Sequence, residues 1–380
     1  MITVMVCGAK LQGIEATYLA KKAGYYVIVA DRNIDAPGSF LGDEFREVDM
    51  CCREDFLPLL KDVDVILPAM ENLETLRQLQ ILADEAGIPM IFDMSAYEIS
   101  RSKSRSNELF RSLGIPVPGT YPGCHYPVVC KPSEESGSAG VEIAHSKGEV
   151  DQYLREHSDT EVVVQEFLSG RSFSLEVIGD GDGHYVCPLI TEVVVDEDYD
   201  CRRIIAPARI SDDEKNQFME IGRRLAESLN IRGIFDIEVI DDHGTLKILE
   251  IDARLPSQTP ISVYQATGVN MVDMLICLFT GKSWRDIDTS PTKVCMYQQI
   301  RVQDGMVYMQ GEHIMSQTSR LKWISRFFGA DEAITDYGPE RKEWRAITIV
   351  TGDDQNAAKM TYENMVAAIL YQDQRNRISA

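Results

Sequence analysis

The sequence predicts a mixed α/β and α+β protein in three parts: a Rossmann-like layer over residues 1–97, an α+β region over 98–285 and a small β-rich region over 286–380. Three observations carry this. Short apolar runs alternate with helical stretches as far as IPMIFD; the middle of the chain then turns strand-rich around a small-residue loop and an acidic hairpin; and after DIDTSPTK come further strand patterns and a closing helix near 356–370. Single cores stop growing near ~250–300 residues, so a chain of 380 is expected to divide.

In the first part, ITVMVCG, YYVIVADR, VDVILPAM and IPMIFD read as buried strands, and IEATYLAKKAG, DFLPLLKD and LETLRQLQILADEAG as covering helices, the pattern of a parallel sheet of about four strands. The loop Gly8 to Gly13 (GAKLQG) is close to G-x-G-x-x-G, but Lys10 stands where a second glycine lets backbone approach a pyrophosphate. With Asp31 after the second strand, a nicotinamide-dependent dehydrogenase remains an alternative, although it explains none of the acids discussed below.

Next, a polar helix from Ser100 to Leu113 carries Lys103 and stops at LGIPVPGT. The strands YPVVCKP, GVEIAHS and EVVVQEFL surround the loop SEESGSAG, which contains Ser138. Lys131 ends its strand beside backbone amides freed by Gly137 and Gly140, a combination that holds phosphates through charge and N–H donors. The competing reading is a surface turn, and the loop lacks the Gly-Lys-Ser/Thr ending of a Walker A sequence. The loop is expected to be mobile until nucleotide binds. Glu166, Phe167 and Leu168 close the next strand with a carboxylate and two apolar residues, either an adenine slot or a plain strand end. Ser211 is the expected N-cap of a helix near 211–229.

The most informative segment is the hairpin IFDIEVI-DDHG-LKILEIDAR. Side chains alternate along strands, so Asp236 shares a face with Glu238 and Glu250 shares a face with Asp252, while Phe235, Ile237, Val239, Leu249 and Ile251 point away. A turn at Asp241 to Gly244 sets residues 236 and 250 close across the ladder and gathers all four acids on one surface. A solvated face is one account of this; a site for Mg²⁺, which prefers oxygen ligands and bridges carboxylates to phosphates, is the other.

The net charge of −22 argues against nucleic acid or an anionic membrane as partner. Nine scattered cysteines without C-x-x-C spacing suggest reduced thiols, the lack of an 18-residue apolar run argues against a membrane span, and a cytoplasmic protein is expected. The six histidines have no metal-ligand spacing.

The order of Lys103, Lys131 with its glycine loop, QEFLSG and an acidic hairpin ending in EIDARLP resembles the ATP-grasp superfamily of carboxylate–amine ligases. The resemblance implies an ATP-grasp domain over 98–285, with ATP and two Mg²⁺ ions as cofactors. It further implies that Lys103, Lys131 and Ser138 contact ATP phosphates, that Glu166, Phe167 and Leu168 hold adenine, that Glu238, Glu250 and Asp252 hold the metal, and that Arg254 acts at the transferred phosphate and acyl oxygens. Asp252 stands where asparagine is usual, and Ser172 where many members carry a ribose-binding glutamate. Within the superfamily, MITVMVCGAKLQGIEATYLAKKAGYYVIVADR, CKPSEESGSAG and LEIDARLPSQTP are similar to the ligases of pyrrolysine biosynthesis, which join the carboxylate of 3-methylornithine to the ε-amine of L-lysine through an acyl phosphate. Purine-synthesis carboxylases share the layout and are the alternative. Two diamino acids call for acids opposite ammonium groups and a positive group opposite a carboxylate. The candidates are Glu176, Asp236, Glu71, Asn72 and Lys10, against the competing readings of a helix cap for Glu71, a solvated Lys10 and an arginine-paired Glu176. A homodimer is a further expectation.

Overall fold

The first sheet forms because its strands are apolar on both faces. In the computed structural model, which describes residues 1–378 other than 136, 138, 198 and 286, and only the backbone of 373–378, four parallel strands lie in the order Glu44–Glu47, Tyr26–Asp31, Thr3–Cys7, Val65–Pro68. Val4, Val6, Val27, Val29 and Val65 are fully buried. Helices Leu11–Lys22 and Leu73–Ala86 cover the sheet. The membership differs from the sequence expectation. IPMIFD contributes only a bridge from Met90 to Ile66, whereas Glu44–Glu47 (EFRE) pairs at the edge. An edge strand needs no apolar alternation and is protected by charge, so its pattern gave no signal.

Eleven strands form the main sheet, which runs from the acidic hairpin, Arg232–Asp242 and Thr245–Asp252, through Ser172–Asp180, Ile190–Val195 and Cys201–Ala206 to Val294–Gln303 and Glu343–Gly352. Strand pairing continues across residue 285: Arg203 lies opposite Gln298 and Ala206 opposite Cys295. The helix Asp212–Leu229 opens with a capping box in which Ser211 and Glu214 satisfy each other's backbone N–H groups, and it buries Phe218, Ile221 and Leu225. The closing helix is Gln355–Ile378.

Apart from these, Glu142–Ala144, Val128–Pro132 and Val162–Glu166 make a three-stranded antiparallel sheet with its own small core of Val128, Cys130, Ala144, Val150 and Tyr153. Among the described residues no single helix is long and apolar enough to cross a membrane. All nine cysteines are free thiols.

Candidate active site

Hairpin register decides where the four acids point. From its turn, where Asp242 faces Thr245, the ladder runs regularly to Val239 opposite Ile248; a bulge then absorbs Leu249, so that Glu238 faces Glu250 and Asp236 faces Asp252. Without the bulge Glu238 would lie opposite Leu249, and Glu250 would point to the other side of the sheet. The expected 236–250 proximity is therefore corrected to direct pairs 238/250 and 236/252. Leu249, expected on the opposite face, instead joins the wall of the cavity with Glu250.

That cavity, about 370 Å³, lies between the three-stranded lobe and the main sheet. The lobe supplies Lys131, Gln165, Glu166, Phe167 and Leu168, the sheet supplies Ser172, Ile240, Leu249, Glu238 and Glu250, and Lys103 reaches in from the start of helix Lys103–Ser112. Lys103 Nζ lies 3.5 Å from Glu250 Oε2 and donates to the Glu135 carbonyl. Lys131 is buried, and desolvation lowers its pKa against the opposing pull of Glu250 and Glu238. The Glu166 carboxylate is engaged within the protein, accepting from the Gly119 N–H at 3.0 Å and from Lys247 Nζ at 2.9 Å. It thus fastens the strand end, while Phe167 and Leu168 add apolar wall beneath Tyr199, whose ring meets Phe167 edge-on at 6.1 Å.

A second pocket of about 130 Å³ opens off the first and shares Glu238, Glu250, Val193, Val195 and Tyr199 with it. Its charge is dominated by acids: Asp236, Asp252, Asp200 and Glu312 add to the shared pair, opposed by Arg254. The guanidinium forks to three carboxylates, with Nε 2.9 Å from Glu71, Nη2 2.9 Å from Asp252 and Nη1 3.4 Å from Asp236. Burial and mutual repulsion push Glu238 up to about 8 and Asp252 up to about 7. Burial would raise Glu250 as well, but the fields of Lys103, Lys131 and Arg254 outweigh it and hold Glu250 below its ordinary value. Such strained neighbours are what a divalent cation relieves, so the donor set fits Mg²⁺. Among the described residues no group of three or more acids, histidines or cysteines is arranged to hold a metal ion by itself.

The other candidates divide. Glu71 meets Arg254 and accepts from Gln12 Nε2 at 2.7 Å, which joins the first sheet to the site. Asn72 caps helix Leu73–Ala86 through the Thr75 N–H at 2.8 Å, so its side chain is committed to the fold. Lys10 is exposed at the N-cap of Leu11–Lys22 and lines neither pocket. Glu176 is fully buried opposite Asp236, accepts from Ser174 rather than from an arginine, and is pushed up to about 7 by desolvation. Ser138 lies outside the described residues. Asp31 accepts from the Ala9 and Asn33 N–H groups, so the acid that suggested a dinucleotide site instead shapes its own loop.

Residues 120–280 match the family described as D-ala D-ala ligase C-terminus. A 3-methyl-D-ornithine–L-lysine ligase of Methanosarcina acetivorans is 38% identical over 320 residues, spanning 83% of this chain and 84% of that protein. The chain belongs to the 3-methyl-D-ornithine–L-lysine ligase family. As a member of this ligase family it is an ATP-dependent carboxylate–amine ligase that forms a carbon–nitrogen bond. Among solved structures, Staphylococcus aureus N5-carboxyaminoimidazole synthetase complexed with ADP superposes with a TM-score of 0.71 at 18% identity over 97% of each chain. An L-amino acid ligase from Bacillus licheniformis gives 0.70 at 16% over 97% and 98%. At these identities the likeness concerns the ATP-grasp fold alone, so the carboxylase alternative has only shared architecture behind it. The dehydrogenase alternative is overturned by membership in the ligase family. Sequence reasoning missed Lys247, Ser257, Gln258, Asp200 and Glu312. Lys247 acts through its ion pair with Glu166, 81 residues away in the chain, which no motif marks, and Glu312 lies far downstream in a loop with no motif.

Proposed function

We propose that this ligase joins the carboxylate of a 3-methyl-D-ornithine-type diamino acid to the ε-amine of L-lysine. The observation that supports this reading most is the acidic pocket with Arg254 in its wall, opening directly off the lysine-lined cavity. The cavity suits ATP, with Phe167, Leu168 and Leu249 against adenine and Lys103 and Lys131 at the phosphates. Glu238 and Glu250, with Asp252 beside them, would hold two Mg²⁺ ions; when bound, Mg²⁺ neutralises charge on the phosphoryl oxygens.

A carboxylate is a poor acyl donor because its oxygen leaves badly. Phosphorylation by ATP converts it to an acyl phosphate, and the two lysines offset the charge spread over the transferred group. Arg254 then faces the oxyanion formed as the amine attacks, and phosphate departs. The ε-amine, with an ordinary pKa of ~10.4, surrenders its proton to a pocket carboxylate or to the phosphate. The acidic walls favour the two cationic substrates and disfavour anionic competitors.

We further propose the division 1–97, 98–285 and 286–380, with the last part completing the acyl-substrate pocket through Glu312, and a homodimer in the cytoplasm. The test is ADP release from Mg·ATP with L-lysine, with and without D-ornithine or its 3-methyl derivative, with products identified by mass spectrometry. Release dependent on both amino acids with a condensed product is expected. Release with bicarbonate and an aminoimidazole ribonucleotide instead would overturn the reading.

A further inference from the structure

The acidic pocket holds two groups of polar side chains. One group, Arg254 paired with Asp252, accompanies Glu238 and Glu250, where a carboxylate would be activated; the other is Ser257, Gln258 and Glu312. Glu312 Oε2 accepts from Gln258 Nε2 at 2.6 Å and from Ser257 Oγ at 3.0 Å. The other end of the same amide, Gln258 Oε1, is buried in the pocket wall without a hydrogen-bond partner, and the residue is only 4% exposed. Leaving a buried acceptor unpaired is costly, so such an atom calls for a donor from elsewhere.

Backbone geometry points the same way. Gln258 holds φ +75°, a region that non-glycine residues occupy rarely and mostly at functional positions. It precedes helix Thr259–Thr267, and Glu15 of the first domain anchors that helix by accepting the Ile261 N–H at 2.6 Å. Glu312 is held in turn from the opposite side, because Asp196 and Asp200 accept the N–H groups of Gly311 and His313 at 2.9 and 3.0 Å. Two independent anchors therefore hold the Glu312 carboxylate and the Gln258 amide side by side in the wall of one small pocket.

A carboxylate beside an unpaired carbonyl oxygen, with no cation among the side chains of that group, is complementary to a ligand that only donates and carries positive charge. An ammonium, with three donors and no acceptor, is such a ligand. Resting on the reading above, we propose that Glu312 and Gln258 receive the distal ammonium of the diamino acid whose carboxylate is activated, and so determine the choice of that substrate.

The experiment compares D-ornithine with D-norvaline, which has the same carbon chain without the distal amine, in ADP release with saturating Mg·ATP and L-lysine. Calorimetric titration of D-ornithine into protein saturated with a non-hydrolysable ATP analogue runs alongside. Glu312→Gln is expected to raise the KM and Kd for D-ornithine about ten-fold or more and to shrink the preference over D-norvaline by a similar factor. kcat should change little, as should the KM for ATP and L-lysine. Gln258→Gly removes the amide while relieving the positive φ, so it should fold at least as well and also lose preference for D-ornithine. An unchanged D-ornithine to D-norvaline ratio in both variants, or a rise confined to the KM for L-lysine, overturns the assignment. Failure of the unaltered protein to turn over D-ornithine overturns the proposed function instead, and the ammonium site with it.

Discussion

The two connected cavities solve opposite electrostatic problems with opposite architecture. The first cavity is roofed by a three-stranded lobe with a small core of its own, and Lys103 and Lys131 line it. The second pocket is built mainly from the main sheet and the loops packed on it, with Gly137 contributed by the lobe, and it crowds six carboxylates around one guanidinium. The lobe is tied to the main sheet by polar contacts such as the half-buried Lys247–Glu166 ion pair at 2.9 Å. Four of the six acids instead sit on paired strands held by ladder hydrogen bonds, whereas Asp200 and Glu312 lie in loops. The difference teaches that one sheet can border a cationic and an anionic space when separate elements supply the charges: Lys103 and Lys131 come from outside the hairpin, and four of the acids from the hairpin itself.

That contrast can be broken most severely at Lys131. Lys131→Met should lower turnover by ~10³-fold or more while leaving D-ornithine binding intact, as read by single-turnover kinetics and calorimetry; comparable loss of D-ornithine binding would merge the two sites. Glu250→Ala should likewise abolish turnover with the fold retained, and turnover at saturating Mg²⁺ would show that the metal lies elsewhere. Arg254→Lys keeps the charge but loses the fork to Glu71, Asp236 and Asp252, so both functions should suffer: roughly 10²-fold in kcat and about 1–3 kcal/mol in stability by denaturant titration. An effect on kcat alone would mean that the three carboxylates are satisfied without it.

A pH measurement sharpens the comparison more gently. Burial pushes Glu15 up to about 8, against an ordinary carboxyl value of 4.5, so between those limits the folded state holds a proton that the unfolded chain releases. Stability attributable to this group therefore falls as pH rises from about 4.5 to 8. Glu15→Gln should be the more stable at pH 8 relative to pH 5 by about 1–3 kcal/mol, with a flatter profile in the difference between the two proteins. A parallel shift at all pH values would place the effect in packing. The smallest change expected is at Leu249→Ala, a few-fold rise in the KM for ATP through lost apolar wall; no rise would place adenine away from the bulge.

Much of this was legible in the sequence because strong local signals and global structure agree. Buried Val and Ile runs gave the parallel layer, Ser211 gave a helix start, and the acids at alternate positions gave a shared carboxylate face on the hairpin. What escaped was whatever depends on long-range register. The bulge at Leu249 costs one residue and reverses the parity of everything beyond it, and no composition rule marks it. The charged edge strand Glu44–Glu47 and the distant Glu312 escaped for the same reason, since their places are set by neighbours rather than by their own pattern. Lys10 and Asn72 illustrate the reverse error: residues with plausible chemistry whose local geometry commits them to solvent and to a cap.

The join of Cys201–Ala206 to Val294–Gln303 has a consequence for biogenesis. Nearly ninety residues separate the two strands, so on the ribosome the earlier one is finished long before its neighbour emerges. During that interval its free backbone groups form an open template for another nascent chain, guarded chiefly by Arg202 and Arg203. Slow translation through 207–293 would lengthen that exposure, and the arginine pair therefore doubles as protection for a half-made protein.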